Sequence, residues 1–195
     1  MQWEKAMDQR FYDMIEANPV IAAVKNNEGL EECCKLEEIK VIFILYGSIC
    51  NIGTIVKRIK DADKIAMVHV DLVSGLANKE IAVNFIRYNT EADGIITTKP
   101  LLIKRAKELG MHTILRVFLL DSMAYQNIEK EIAMVKPDII EILPGLMPKV
   151  IRRITGNIRI PLIAGGLISE KEDVMAALNA GAISVSTTNP SVWEM

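Results

Sequence analysis

The strongest constraint on this chain is an alternation that recurs eight times: a short run rich in Val and Ile, ending in Gly, Asp, Thr or Asn, then a longer segment whose apolar residues have helical spacing. The runs fall at residues 20–24, 41–46, 65–70, 94–98, 113–118, 138–143, 161–164 and 182–186, and successive starts lie roughly 19 to 29 residues apart. That interval holds one strand, one helix and two tight connections. The helical faces are legible: Ile55, Ile59 and Ala62 oppose Lys57, Arg58 and Lys60, and Leu102, Ala106 and Leu109 oppose Lys104, Arg105 and Lys107. Pro100 suits a helix start, Gly110 and Gly181 suit left-handed helix ends, and Ser169 with Glu172 suits a capping box for the helix running through Ala177.

Strands that are almost wholly apolar require burial on both faces, and parallel strands joined by right-handed helical crossovers meet that requirement. Eight such units predict an α/β fold, a closed (β/α)8 TIM barrel with short loops, which leaves no open sheet edge. The 195 residues are near the lower limit for that fold and are read as one domain, 1–195. The alternative, an open doubly wound sheet, would carry Gly-x-Gly-x-x-Gly after its first strand; Ala22, Ala23, Val24, Lys25, Asn26 and Asn27 stand there instead. Before that strand, Trp3, Met7, Phe11, Met14 and Ile15 form the apolar stripe of a leading helix. It is predicted to cap the barrel floor, with a homo-oligomer contact as the second reading.

Lys plus Arg number 23 against 25 Asp plus Glu, a formal charge of −2, so no global field announces a polyanionic partner or excludes one. The apolar runs are much shorter than a membrane-spanning helix, and the first five residues mix charges instead of opening a signal peptide. A cytoplasmic protein without a membrane partner is expected. Cys33, Cys34 and Cys50 have neither a disulfide framework nor a zinc spacing, and the histidines are His69 and His112 alone, so no metal and no cofactor are expected.

In such a barrel ligands sit at the C-terminal ends of the strands. The polar residues placed there are Lys25 and Asn26, His69 and Asp71, Thr97, Thr98 and Lys99, Arg116, Glu141, Gly165 and Gly166, and Ser186, Thr187, Thr188 and Asn189. The last two groups form the sharpest constellation. Consecutive glycines let backbone approach an anion, and hydroxyls precede a proline suited to starting a short helix, so the pair reads as a phosphate site or as two tight turns and a cap. Arg116 and Glu141 are charges inside apolar strands and must pair with each other or with a polar ligand. Asp71, expected on a strand face shared with His69, reads as a hydrogen-bond acceptor for a hydroxylated ligand, a base, or a loop cap. Lys99 could neutralise a phosphate or form a Schiff base. Two basic clusters, Lys57, Arg58 and Lys60, then Lys149, Arg152 and Arg153, are solvated helix faces or a surface for RNA, and neither is interleaved with aromatics.

Seven blocks carry a resemblance that covers most of the chain: NPVIAAVK at 18–25, VHVDLVSGL at 68–76, DGIITTK at 93–99, RVFLLDS at 116–122, PDIIEILPG at 137–145, IAGGLI at 163–168 and AGAISVSTT at 180–188. In these the sequence resembles the glycerol uptake operon antiterminator regulatory proteins of Gram-positive bacteria. The resemblance implies regulation in place of catalysis: a sensor of glycerol 3-phosphate that, when liganded, binds the leader mRNA of glycerol-utilisation genes so that a terminator hairpin does not stop transcription. It implies that Gly165, Gly166, Ser186 and Thr187 hold the phosphate, and that Lys25, Asp71, Lys99, Arg116 and Glu141 line the mouth. It assigns no RNA face. The competing class is a barrel enzyme, an isomerase, aldolase or prenyl transferase acting on a small phosphorylated substrate, with Asp71, Glu141 and Lys99 as base, acid and electrostatic stabiliser.

Overall fold

The computed structural model describes residues 2–195, with side chains for residue 9 and residues 11–195. A leading helix α1 (Gln2–Ala17) precedes β1 (Val20–Val24), α2 (Asn27–Lys35), β2 (Val41–Ile44), α3 (Ile52–Asp61) and β3 (Ile65–His69). A 3-10 turn (Val70–Leu72) then leads to α4 (Glu80–Asn89), β4 (Gly94–Thr97), α5 (Pro100–Glu108), β5 (His112–Phe118) and α6 (Ser122–Val135). The chain finishes with β6 (Ile139–Leu143), α7 (Pro148–Asn157), β7 (Leu162–Gly165), α8 (Lys171–Asn179), β8 (Ser184–Thr187) and α9 (Pro190–Trp193). Every strand is parallel to its neighbours, and β8 returns to β1 with Val20 opposite Val185, closing the eight-stranded (β/α)8 barrel that the alternation predicts.

Closure divides the apolar residues of each strand between two cores. Ile21, Ala23, Val41, Phe43, Ile65, Met67, Ile96, Ile114, Ile139 and Ile163 point inward. Their chain neighbours, such as Ala22, Ile42, Ala66 and Ile95, pack outward against the helices. Phe11 and Ile15 of α1 join the inner core at 1% and 0% exposure, so this helix closes the barrel floor as expected. Trp3 and Met7 of the expected stripe lie outside the described side chains.

Local signals hold with two shifts. Gly110 and Gly181 take φ of 67° and 103°, and Pro100 opens α5. The cap of α8 is one residue later than Ser169 suggests: Glu170 is the N-cap and Asp173 completes the box, while the backbone and hydroxyl of Ser169 donate to Asp173 Oδ2. Strand β3 ends at His69, so Asp71 sits in the following 3-10 turn and not on the strand face.

Gly94 is where packing is tightest. A methyl group there would lie 2.6 Å from Met67 Cε and 2.8 Å from His112 Cβ, and closer still to the His112 carbonyl. Helix α7 carries the opposite case, Gly156, whose added methyl meets nothing within 4 Å. Gly94→Ala is therefore expected to destabilise by about 2 kcal/mol or more, lowering Tm by roughly 4 to 8 °C. Gly156→Ala is expected to stabilise by about 0.5 to 1 kcal/mol. Thermal melts of the two variants check both signs.

Candidate ligand site at the barrel mouth

Arg116 and Glu141 are register partners on β5 and β6. The Arg116 Nε donates to Glu141 Oε2 at 2.6 Å, with the two side chains 8% and 0% exposed. The Ser186 hydroxyl donates to Glu141 Oε1 at 2.5 Å, so both carboxylate oxygens are occupied. Gly165 lies over this chain of contacts: a Cβ there would come within 2.6 Å of both Glu141 Oε1 and Ser186 Oγ. That glycine admits the buried pair. Arg116 makes its hydrogen bond through Nε, which leaves the terminal guanidinium nitrogens without a protein acceptor among the described residues. A cavity of about 450 Å³ opens beside them, walled by Ala23, Leu45, Arg116 and Glu141 below and by residues 166–169 and 186–189 above.

The upper wall is two loops tied together. Thr187 Oγ1 donates to the Ile168 carbonyl at 2.7 Å, and Asn189 Nδ2 donates to the Ser169 carbonyl at 3.0 Å. Gly166 takes φ of 74°, and Leu167 follows at 64° with its side chain 70% exposed. A leucine in the left-handed region is strained, and such strain persists where the surroundings impose it. The amides of Gly166, Leu167 and Thr188 donate to no protein acceptor among the described residues. The expected phosphate residues Gly165, Gly166, Ser186 and Thr187 are thus brought together, but the Ser186 and Thr187 hydroxyls are already committed to protein acceptors. Backbone amides and the exposed Thr188 hydroxyl are the donors that remain.

Across the barrel, Asp71 Oδ1 accepts from Thr97 Oγ1 at 2.6 Å, and Oδ2 accepts from the Thr98 amide and hydroxyl at 2.8 Å each. Lys99 Nζ stands 3.8 Å from Oδ2. Burial works to raise the Asp71 carboxyl, and the hydrogen bonds from Thr97 and Thr98 outweigh it and hold the group below the usual carboxylate range. Asp71 is thereby the cap of the turn after β4. Lys25 is exposed on the rim beyond β1 and does not line the cavity. Among the described residues no cluster of three or more His, Cys, Asp or Glu is placed to hold a metal ion, and no helix is long and apolar enough to cross a membrane.

The two basic clusters differ in their partners. On α3, Lys57 meets Asp61 at 2.7 Å, Arg58 meets Glu31 at 3.1 Å, and Lys60 meets Asp93 at 2.7 Å. On α7, Lys149, Arg152 and Arg153 have no carboxylate partner among the described residues, and the Arg153 guanidinium lies 4.6 Å above the Tyr125 ring of α6. A groove of about 680 Å³ runs there, past Leu120, Gln126 and Lys149. The aromatic missing from the α7 run in the sequence comes from the neighbouring helix, a proximity created only by folding.

His69 ends β3 at 3% exposure, and its Nδ1 is, among the described residues, the one buried side-chain polar atom without a hydrogen-bond partner. Burial pushes its imidazole down to about 4, and the Arg116 charge adds to the shift. Between pH 6.5 and about 4 the unfolded chain takes up a proton that the folded chain refuses. Stability is therefore full above that window and falls across it as the pH drops, by roughly 3 kcal/mol for this group. Denaturant titrations at pH 7 and pH 4.5, with the ring followed by NMR, are expected to show that loss while His69 stays neutral.

With this geometry in place, comparison with known proteins is specific. Residues 20–193 match the family model described as glycerol-3-phosphate responsive antiterminator. An uncharacterized protein of Escherichia coli is 50% identical over 182 residues, covering 93% of this chain and 95% of that protein. The crystal structure of the glycerol uptake operon antiterminator regulatory protein from Listeria monocytogenes is 36% identical with a TM-score of 0.87, covering 90% of this chain and 94% of that one. That of a glycerol uptake operon antiterminator-related protein from Thermotoga maritima is 34% identical with a TM-score of 0.81, covering 91% and 99%. The chain belongs to the glycerol-3-phosphate responsive antiterminator family.

Proposed function

We propose that the mouth cavity binds glycerol 3-phosphate and that the liganded protein, a single-domain cytoplasmic regulator without catalytic activity, binds the leader mRNA of glycerol-utilisation genes to prevent termination. The observation that carries this reading is the set of free donors on one cavity: the Gly166, Leu167 and Thr188 amides above, and the Arg116 guanidinium below. Gly165, Ser186 and Thr187 serve the phosphate by shaping these loops, and Glu141 serves it by holding Arg116 in place. Asp71 and Lys99, 3.8 Å apart in the turns after β3 and β4, and Lys25 after β1 add charge around the mouth without lining the cavity. The enzyme reading is disfavoured at its candidate base, because both Asp71 oxygens accept hydrogen bonds from Thr97 and Thr98 that fix the carboxylate as a turn cap.

For the RNA, the α7 cluster is the favoured surface, since its cations are open while Lys57, Arg58 and Lys60 are spent on carboxylates. Tyr125 and Arg153 offer planes on which an unpaired base can stack. The loop leading into α7 is tied to the phosphate loop by the Gly145 amide donating to the Gly166 carbonyl at 3.1 Å, a route by which a filled site biases the RNA surface. A hundredfold effect of ligand on RNA affinity corresponds to about 2.7 kcal/mol of coupling.

Filter binding to the leader RNA tests this. Affinity is expected to rise about a hundredfold with glycerol 3-phosphate and to fall steeply with salt. Charge reversal at Lys149, Arg152 and Arg153 is expected to flatten the log–log salt slope by about 2 to 3, while reversal at Lys57, Arg58 and Lys60 changes it little. RNA binding indifferent to glycerol 3-phosphate would contradict the proposal, as would turnover of a triose phosphate.

A further inference from the structure

The ring order of the strands sets β3 and β4 opposite β7 and β8. A small ligand anchored at the β7 and β8 loops therefore extends across the mouth toward the end of β3, where the last residue is His69. Strand periodicity aims that side chain: Ile65 and Met67, four and two residues earlier, belong to the inner core, so His69 faces inward as well. The cavity's walls include Leu45, just beyond β2, and Arg116 on β5, and stop short of His69, which stands one residue past Val68, the register partner of Ile44.

Buried polar atoms in native proteins nearly always have a partner, and an exception marks a group waiting for one. His69 Nδ1 is such an exception at 3% exposure. The charged side chains near it do not supply the bond. Asp71 has both oxygens engaged by Thr97 and Thr98, and Arg116 and Lys99 carry donors that repel a ring proton and offer nothing for one to donate to. We propose that His69 is the hydroxyl-recognising end of the ligand site, exchanging a hydrogen bond through Nδ1 with a hydroxyl of the three-carbon polyol whose phosphate sits at the β7 and β8 loops.

This assignment rests on the reading of the cavity as a glycerol 3-phosphate site and adds what that reading lacks, a group that tells the polyol from any other phosphate ester. Burial and the Arg116 charge keep the ring neutral near pH 7, and a neutral imidazole presents one donor and one acceptor. A hydroxyl matches either tautomer. A methylene at the same place leaves Nδ1 stranded, and sites built around a hydrogen-bonded hydroxyl discriminate strongly against analogues lacking it.

Calorimetric titration of the unsubstituted protein, His69→Leu and His69→Asn with glycerol 3-phosphate and with propyl phosphate tests the assignment. Leucine is expected to weaken glycerol 3-phosphate about tenfold or more and to leave propyl phosphate within about twofold, while asparagine restores part of the loss. Equal weakening of both esters, or none, would overturn the role of His69 while leaving the phosphate site intact. No binding of glycerol 3-phosphate by the unsubstituted protein would overturn the reading of the cavity and this assignment together. Should His69→Leu fail to fold, the unsubstituted protein still decides: with two histidines in the chain, the ring-nitrogen resonances of His69 and His112 are separable. Glycerol 3-phosphate is expected to shift Nδ1 of His69 and propyl phosphate is not. An Nδ1 resonance unmoved by saturating glycerol 3-phosphate would overturn the proposal.

Discussion

Glu141 is buried to zero exposure in the wall of the barrel mouth, and a carboxylate in that position has to find a partner for each of its oxygens. Arg116 supplies one and Ser186 the other. Loss of one member of such a pair strands a charge at a cost of about 3 to 5 kcal/mol, so three strands, β5, β6 and β8, are held in mutual register by one small polar cluster. Gly165 on β7 completes the arrangement, because any side chain there would occupy the space of the contact between Glu141 and Ser186.

From this cluster the rest of the site follows. Strand β7 ends in the only residue type that fits above Glu141, and the chain then turns through Gly166 and Leu167 at positive φ. That turn frees successive amides, and Thr187 and Asn189 clamp it against the loop after β8. Arg116, oriented by Glu141 through Nε, presents its remaining donors to the same space. The donors proposed for the phosphate are thereby fixed by the barrel wall before any ligand arrives, and such preorganisation reduces the ordering cost of binding. Across the barrel, at and just beyond the end of β3, stand groups of a different chemistry, neutral at His69 and self-satisfied at Asp71, suited to the uncharged end of a small phosphate ester.

The barrel was legible in the chain because its demand is periodic: apolar runs such as 41–44 and 162–165 need cover on both faces, and eight of them at a regular interval close into a ring. The pairing of Arg116 with Glu141 was equally open to inference, since two isolated charges in adjacent apolar strands leave few alternatives. What stayed illegible depends on atoms brought together from afar. The two glycines at 165 and 166 look alike in sequence, yet one makes room for a buried contact and the other takes a left-handed turn. Asp71 carries the features of a base until Thr97 and Thr98, 26 and 27 residues later, close on it. The basic runs on α3 and α7 read alike until Glu31 and Asp93 neutralise one and Tyr125 faces the other. No signal marks Leu167 as left-handed, because the strain there comes from the tertiary setting of its loop.

The central claim is that one cavity holds both ends of a three-carbon phosphate ester in a fixed direction. Difference density from crystals of the protein grown with glycerol 3-phosphate addresses it most directly. The phosphorus is expected against the Gly166, Leu167 and Thr188 amides, with a guanidinium nitrogen of Arg116 within hydrogen-bond distance and the carbon chain running toward β3. Density for the ester with its phosphate elsewhere, or a mouth that stays empty at saturating concentration, would contradict it.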